Sequence, residues 1–479
     1  MSRRFTLLVL LVLCTLARSQ ANEDAPQTRG IGKEPGPWVW PTRGEVWPKP
    51  QSIVNFNNEG YMTIHTSTFQ FKITRETCDI LDEALNRYYN VLLLEREAGV
   101  RAALPTTYDN ELPKSAQPAG TFRGVLDILE VDLAAPCENM PYFGMDEHYE
   151  IRVDSPDLPL AAKLTSQTLQ INSTMVSDFP RFPHRGFMLD SVRHFHPLPL
   201  IFTLIDGMEA SKLNTLHWHI TDDQAFPYQS VVFPELSVIE YCRMRGIRII
   251  PEFDSPGHTR SWGESHPELL ATCIGEDGQP DGSYGPLDPS KPEVYSFVET
   301  LFTEVTNLFP DNYFHLGGDE NITDFMDQNN ITGNYPKLEE LYIAQVINMT
   351  ESMGSTAILW QEVFDNGLAL SNNTIVHTGG NWKELYNCEP YNFTGTLQQK
   401  QLILGGEACM WSEYVDGNNV VSRVFPRASA MAERLWSSID QTDTVEAARR
   451  IEEFRCRLVR RGIGAQPANG PGFCPGERF

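Results

Sequence analysis

A chain of 479 residues, 41% hydrophobic and 10% aromatic, is globular and has room for two domains with sizeable cores. Its formal net charge of -25 argues against a nucleic-acid or anionic-membrane surface. It suits a soluble protein, including one that works in acid.

The N-terminus reads as a targeting segment. Arg3 and Arg4 precede the apolar run Phe5–Leu13, and Ala17 and Ser19 are spaced for cleavage after Ser19. Residues 1–19 are therefore expected to be a signal peptide. No later run is long and apolar enough to span a bilayer. The remainder is expected in the secretory pathway as a soluble protein, lysosomal or extracellular. Without Cys14, eight cysteines remain for a compartment in which disulfides persist. Six N-x-S/T sequons, at Asn172, Asn321, Asn330, Asn348, Asn372 and Asn392, predict glycosylation behind such a leader.

Residues 20–36 are polar and rich in Gly and Pro, a flexible leader. Residues 37–165 combine strand-like runs (Tyr61–Thr66, Phe122–Val131, His148–Val153) with one helical stretch, Glu76–Glu97, which predicts a small α+β domain. The segment 178–186, DFPRFPHRG, reads as the passage into a second domain, 178–479. There a unit repeats: a short apolar run, a polar end, then a helical stretch. The runs are Gly186–Asp190, Leu213–Thr221, Ile247–Asp254, Tyr313–Asp319, Ala357–Gln361, Thr374–Thr378 and Leu402–Trp411. Helical stretches include Leu200–Lys212, Val238–Gly246, Glu293–Leu308 and Lys337–Met353. Alternating strands and helices predict parallel pairing with right-handed crossovers, and polar strand ends predict a (β/α) barrel with its site at that rim. Seven runs fall one short of a closed eight-stranded barrel, and Gly379–Gln401 carries no eighth.

Four strand ends carry carboxylates: Asp222 and Asp223, Asp254, the adjacent pair Asp319 and Glu320, and Glu413. Adjacent carboxylates push each other's pKa values apart, so one can stay protonated and serve as an acid. Trp218, Trp360 and Trp411 accompany them. Acids beside aromatic platforms suit a sugar, whose C–H faces stack on rings. The bland alternatives are an acidic loop for the carboxylates and core packing for the indoles. His217, His219, His258 and His315 are either ligands of a metal hydrolase or satisfied barrel-interior histidines. Arg193, after the first strand, is either a surface arginine or a fork for sugar hydroxyls.

Taken together, the strings VWPKP, DFPRFPHRG, LDSVRHF, KLNTLHWHITDD, FPY, RGIRIIPEFDSPGHT, FHLGGDE, WQEVFDN, GGEACMWSEYVD and RASAMAERLWS resemble family 20 glycoside hydrolases, the animal-type β-N-acetylhexosaminidases. The resemblance runs from about Trp47 to Cys474. It implies a (β/α)8 TIM-type barrel behind a smaller α+β domain. It also implies removal of terminal N-acetylglucosamine or N-acetylgalactosamine with retention, the substrate's acetamido oxygen attacking C1. By resemblance Glu320 is the general acid and base, and Asp319 holds the acetamido N–H. Arg193 and Glu413 match hydroxyl-binding positions, and Asp222 and His258 match groups that tune Glu320. Trp360 and Trp411 match pocket walls. No metal or cofactor is implied, the partner is a glycan, and family enzymes are often dimers, so a homodimer is expected. Cys78–Cys137 and Cys456–Cys474 match family disulfides.

Three segments are short against the family pattern. They lie after FPELS at 237, after GGDE at 320 and after TIVHT at 378. The third removes the end of one strand, a helix and the next strand, together with a Tyr that binds the acetamido oxygen. Such a loss amounts to several kcal/mol of transition-state stabilisation, on the scale of an oxyanion-hole donor. The second removes the partner of Cys273, which is left free or paired with Cys388, and puts the Asn321 sequon beside Glu320. Three readings follow: a working exo-hexosaminidase, an impaired member of the same family, and a metal-dependent barrel hydrolase.

Overall fold

The computed structural model describes residues 39–42, 44–56, 60–102, 122–153, 169–228, 237–275, 277, 279–318, 335–360, 363, 382–470 and 474. The expected signal peptide and leader lie outside them. So do the run Thr374–Thr378, Asp319, Glu320, and the sequons at Asn321, Asn330 and Asn372.

Among the described residues, eight short strands form the N-terminal part: β1 (Ser52–Asn55), β2 (Tyr61–Ile64), β3 (Gln70–Ile73), β4 (Phe122–Val125), β5 (Ile128–Val131), β6 (Tyr149–Val153), β7 (Leu169–Asn172) and β8 (Thr174–Asp178). They make three small sheets, ordered β1-β8-β6, β4-β2-β7 and β3-β5. One helix, α1 (Asp79–Ala102), accompanies them, and a disulfide ties Cys78 at its start to Cys137. Two expectations are corrected here. The run Phe122–Val131 is two strands in different sheets, because the chain leaves the first sheet at Leu126 and Asp127. The N-terminal sheets also run past residue 165 to Asp178, since β7 pairs with β2 and β8 with β1 and β6. Asn172, Asn348 and Asn392 are exposed, as glycosylation requires.

Beyond Asp178, among the described residues, a curled sheet of six parallel strands carries the fold. They are β9 (His184–Asp190), β10 (Thr215–Thr221), β11 (Arg248–Phe253), β14 (Tyr313–His315), β15 (Thr356–Ile358) and β16 (Gly405–Met410), in the order β15-β14-β11-β10-β9-β16. All pairs are parallel, and the last strand lies beside the first, as in a barrel. Helices α2 (Leu198–Ser211), α3 (Ser237–Arg243) and α4 (Pro292–Leu308), then Tyr335–Ser352, lie between successive strands. An antiparallel hairpin, β12 (Leu270–Ile274) with β13 (Pro280–Leu287), follows β11 and was not foreseen.

Side chains alternate across these strands. Phe187, Leu189, Leu216, Ile249, Phe253, Phe314, Ala357, Leu359 and Ala408 join one large apolar cluster with the helices. The opposite positions turn inward. Two of them are apolar, Ile250 packing against Ile358. Others are polar: His217, His219, Glu252, His315 and Glu407, all buried. The strand read as Tyr313–Asp319 ends at His315, because Gly317 and Gly318 take φ of +73° and +93° and leave the ladder. The second expected disulfide, Cys456–Cys474, is present, and Cys273 is a buried free thiol unpaired with Cys388.

Candidate active site

The parallel register places His219 opposite Glu252, and Glu252 opposite His315, in one layer of the barrel. Glu252 is fully buried. His219 Nδ1 lies 2.7 Å and His217 Nε2 3.1 Å from its Oε2, while Trp360 Nε1 donates to its Oε1 at 2.6 Å. The ladder continues both ways. Toward the rim, His219 Nε2 meets Asp222 Oδ2 at 2.9 Å. Downward, His217 Nδ1 meets Glu407 Oε2 at 3.0 Å, and Glu407 Oε1 meets His184 Nε2 at 2.5 Å. Carboxylates and imidazoles therefore alternate through the barrel, which is how buried charge is tolerated. This is the interior role weighed for these histidines against metal ligation.

Burial alone would push the His217 and His219 imidazoliums down in pKa. The carboxylates of Glu407 and Glu252 around His217, and of Glu252 and Asp222 around His219, outweigh it and raise them to about 9 and about 10. Both folded-state values exceed the unfolded one, so the stability they contribute is complete below about pH 6.5 and is lost as pH rises through 9 and 10. Thermal melts between pH 6 and 10.5 are expected to show a melting temperature that falls through that alkaline window. A flat profile up to pH 10.5 would contradict protonated imidazoles in the barrel.

At the rim, Asp222 gathers three side-chain partners among the described residues. Arg193 Nη2 lies 2.6 Å from its Oδ2, and His258 Nδ1 lies 3.1 Å from its Oδ1, beside His219. Burial would raise the Asp222 pKa, but hydrogen bonds from His219 and His258 and the charge of Arg193 hold it well below the usual carboxylate range. Its charge is thus permanent over the working range. The Arg193 guanidinium lies 4.8 Å over the Trp411 ring, a cation–π contact, and Trp411 lies 5.4 Å from Trp360. Glu413, two residues past Trp411, is exposed, and its charge acts on Arg193. Ser412 stitches the loops after β9 and β16 together: its N–H donates to Asp190 Oδ2 at 3.0 Å and its hydroxyl to Asp190 O at 2.6 Å.

The turn after β14 is built against Asp254. The Gly318 N–H donates to Asp254 Oδ1 at 2.8 Å, and the Gly317 carbonyl accepts from the Trp360 N–H at 3.1 Å. The next two residues are Asp319 and Glu320.

Thus Arg193, Asp222, His258, Trp360, Trp411 and Glu413 converge at one rim, while Trp218 does not. With His217 and His219 facing inward, period-two alternation turns Trp218 outward, where it packs on the large apolar cluster and donates to Ser191 Oγ at 2.9 Å. Sequence reasoning missed Glu252 and Glu407 as partners of the histidines. Their inward phase, shared with Asp254 and Trp411, was the available signal.

Two family profiles match the chain. One described as beta-acetyl hexosaminidase like covers residues 46–170, and that of the glycosyl hydrolase family 20 catalytic domain covers 182–238, 236–380 and 373–439. The chain belongs to glycosyl hydrolase family 20. Its family relatives include human beta-hexosaminidase subunit beta, 35% identical over 550 residues, which spans 98% of this chain and 96% of the relative. Mouse beta-hexosaminidase subunit alpha is 36% identical over 520 residues, 90% and 95% of the two chains. Among solved family 20 structures, the chitobiase of Flavobacterium johnsoniae superimposes with a TM-score of 0.64 at 25% identity, over 87% of this chain and 73% of that one. An alignment of 550 positions is longer than the 479-residue chain, so it passes over stretches of the relative with no counterpart here. The pieces of the family 20 match join at 236–238 and 373–380, the places of the first and third shortened segments.

Proposed function

We propose that the chain is an exo-β-N-acetylhexosaminidase. It removes terminal N-acetylglucosamine or N-acetylgalactosamine from glycoconjugates or chitooligosaccharides by substrate-assisted, retaining catalysis. The observation that carries this is the convergence of Arg193, Asp222, His258, Trp360 and Trp411 at the strand ends beside the Gly317–Gly318 turn. Glu320 protonates the glycosidic oxygen and then activates water. Asp319 orients the acetamido group so that its oxygen reaches C1. Arg193 and Glu413 bind ring hydroxyls, and the indoles wall the acetamido group. Asp222 and His258 tune the acid. The chain is placed in the secretory pathway, lysosomal or extracellular, as a glycan-processing homodimer that needs no metal.

Release of a chromogenic aryl N-acetylglucosaminide by the purified protein tests the reading. Glu320→Gln is expected to lower kcat by roughly 10²–10⁴-fold, the range for a general acid. Because the acid must be protonated, the rate is expected to peak in acid and fall toward neutrality. A rate that is constant from pH 4 to pH 8, or a Glu320→Gln variant as active as the wild type, would refute the assignment. A folded protein that releases nothing would establish the impaired reading instead.

A further inference from the structure

We infer that His315 is a positioning residue: its unprotonated Nδ1 holds the Gly317 N–H and so fixes the turn that leads into Asp319 and Glu320. The inference rests on the reading of those two carboxyls as the catalytic pair. Two groups compete for this nitrogen. Nδ1 lies 3.1 Å from the Gly317 amide nitrogen and 3.1 Å from Glu252 Oε1. One imidazole nitrogen cannot accept from an amide and donate to a carboxylate together. Glu252 does not depend on His315, since Oε1 already accepts from Trp360 and Oε2 is met by His219 and His217. The Gly317 amide is buried and can only donate, and among the described residues Nδ1 is its acceptor. Either tautomer leaves one buried N–H without a partner among the described residues, the Gly317 amide or the ring's Nε2–H, but a proton on Nδ1 would leave the Nε2 lone pair unpaired as well.

The proton of His315 is then on Nε2, which has no hydrogen-bond partner among the described residues. The ring is held between His217, at 4.3 Å between centroids, and Trp360, at 4.8 Å. The titratable groups facing it are Glu252 from β11, His217 from β10 and Glu407 from β16; the segment after β15 presents the non-titrating Trp360. Burial pushes the imidazole pKa down against the pull of Glu252, which keeps the ring neutral. The tautomer is thus set by the backbone of the turn. The residue acts through Gly317 and has no need to touch substrate.

Three variants of the full chain separate positioning from packing. In His315→Asn an amide oxygen can reach the place of Nδ1. In His315→Gln the amide lies nearer Nε2, and His315→Phe keeps the ring without nitrogen. Positioning predicts that Asn retains the highest kcat, with Phe down roughly 100-fold at little-changed KM, the cost of misplacing a catalytic group by about 1 Å. A packing role predicts that Phe is best, and that order, or equal losses in all three, would overturn the inference. Independently of folding in the variants, the imidazole ¹⁵N shifts of His315 in the wild-type protein report the tautomer. The proton is expected on Nε2, and a proton on Nδ1 would overturn the inference even if all variants were unfolded. Failure of the wild type to hydrolyse the aryl glycoside would instead remove the catalytic reading and leave the tautomer measurement to judge the contact.

Discussion

Gly317→Ala is expected to destabilise the protein by about 2–5 kcal/mol, from a left-handed backbone that disfavours a side chain and from overpacking. At φ +73° an added Cβ would lie 1.6 Å from Asp254 Oδ1, and also 2.7 Å from the Asp254 Cα, which a side-chain rotation cannot clear. Either the turn or the end of β11 must move. The movement breaks the bond from the Gly318 N–H to Asp254 and shifts the backbone leading into Asp319 and Glu320. Turnover of the aryl glycoside is therefore expected to fall by about 100-fold or more in whatever fraction stays folded. Gly354→Ala is the matched control: its φ is +86°, and nothing lies within 4 Å of the added Cβ. It carries the backbone penalty of about 1–2 kcal/mol without the clash. Denaturant unfolding and kcat for both variants decide the matter, and equal behaviour would show that the contact with Asp254 is unimportant.

Glu252→Gln is expected to cost roughly 3–5 kcal/mol at pH 7, the usual result of removing one partner from a buried charged pair. The substitution keeps the shape and deletes the charge that holds His217 and His219 protonated. It also turns a group that only accepts into one whose NH₂ must face N–H donors. The imidazoles then lose protons at lower pH, so the alkaline loss of stability moves toward neutrality. Trp360 loses a charged acceptor, and its indole is held less firmly. An exposed pair gives the scale. Glu130, more than half exposed and 2.7 Å from Lys72, is expected to cost at most about 1 kcal/mol as Gln. If Glu252→Gln were as mild and left the alkaline limb in place, the ladder would not be the electrostatic unit described above.

Much of the barrel was legible because its strands are short apolar runs with polar ends, and six of the predicted runs overlap β9, β10, β11, β14, β15 and β16. The hairpin β12–β13 was not, since its sequence, LATCI followed by PDGSYGPL, has no sustained alternation and is held by pairing across the loop. Likewise the first domain was read as ending at residue 165, while β7 and β8 turn back to strands more than a hundred residues earlier. At the site, the residue types and their placement at strand ends were readable for Arg193, Asp222, His258, Trp360, Trp411 and Glu413. The outward turn of Trp218 was also available, because alternation with His217 and His219 demands it.

Local chemistry, then, is what the chain carries in its own order: the alternation along each strand, and a Gly-Gly pair that alone tolerates the backbone of the turn before Asp319 and Glu320. Which charges the barrel interior holds is a matter of tertiary structure. Glu252 reaches His219 across 33 residues and Glu407 reaches His217 across 190. The pKa of a buried imidazole depends on its distance to such carboxylates and on the water excluded around it, and neither exists until the sheet has curled.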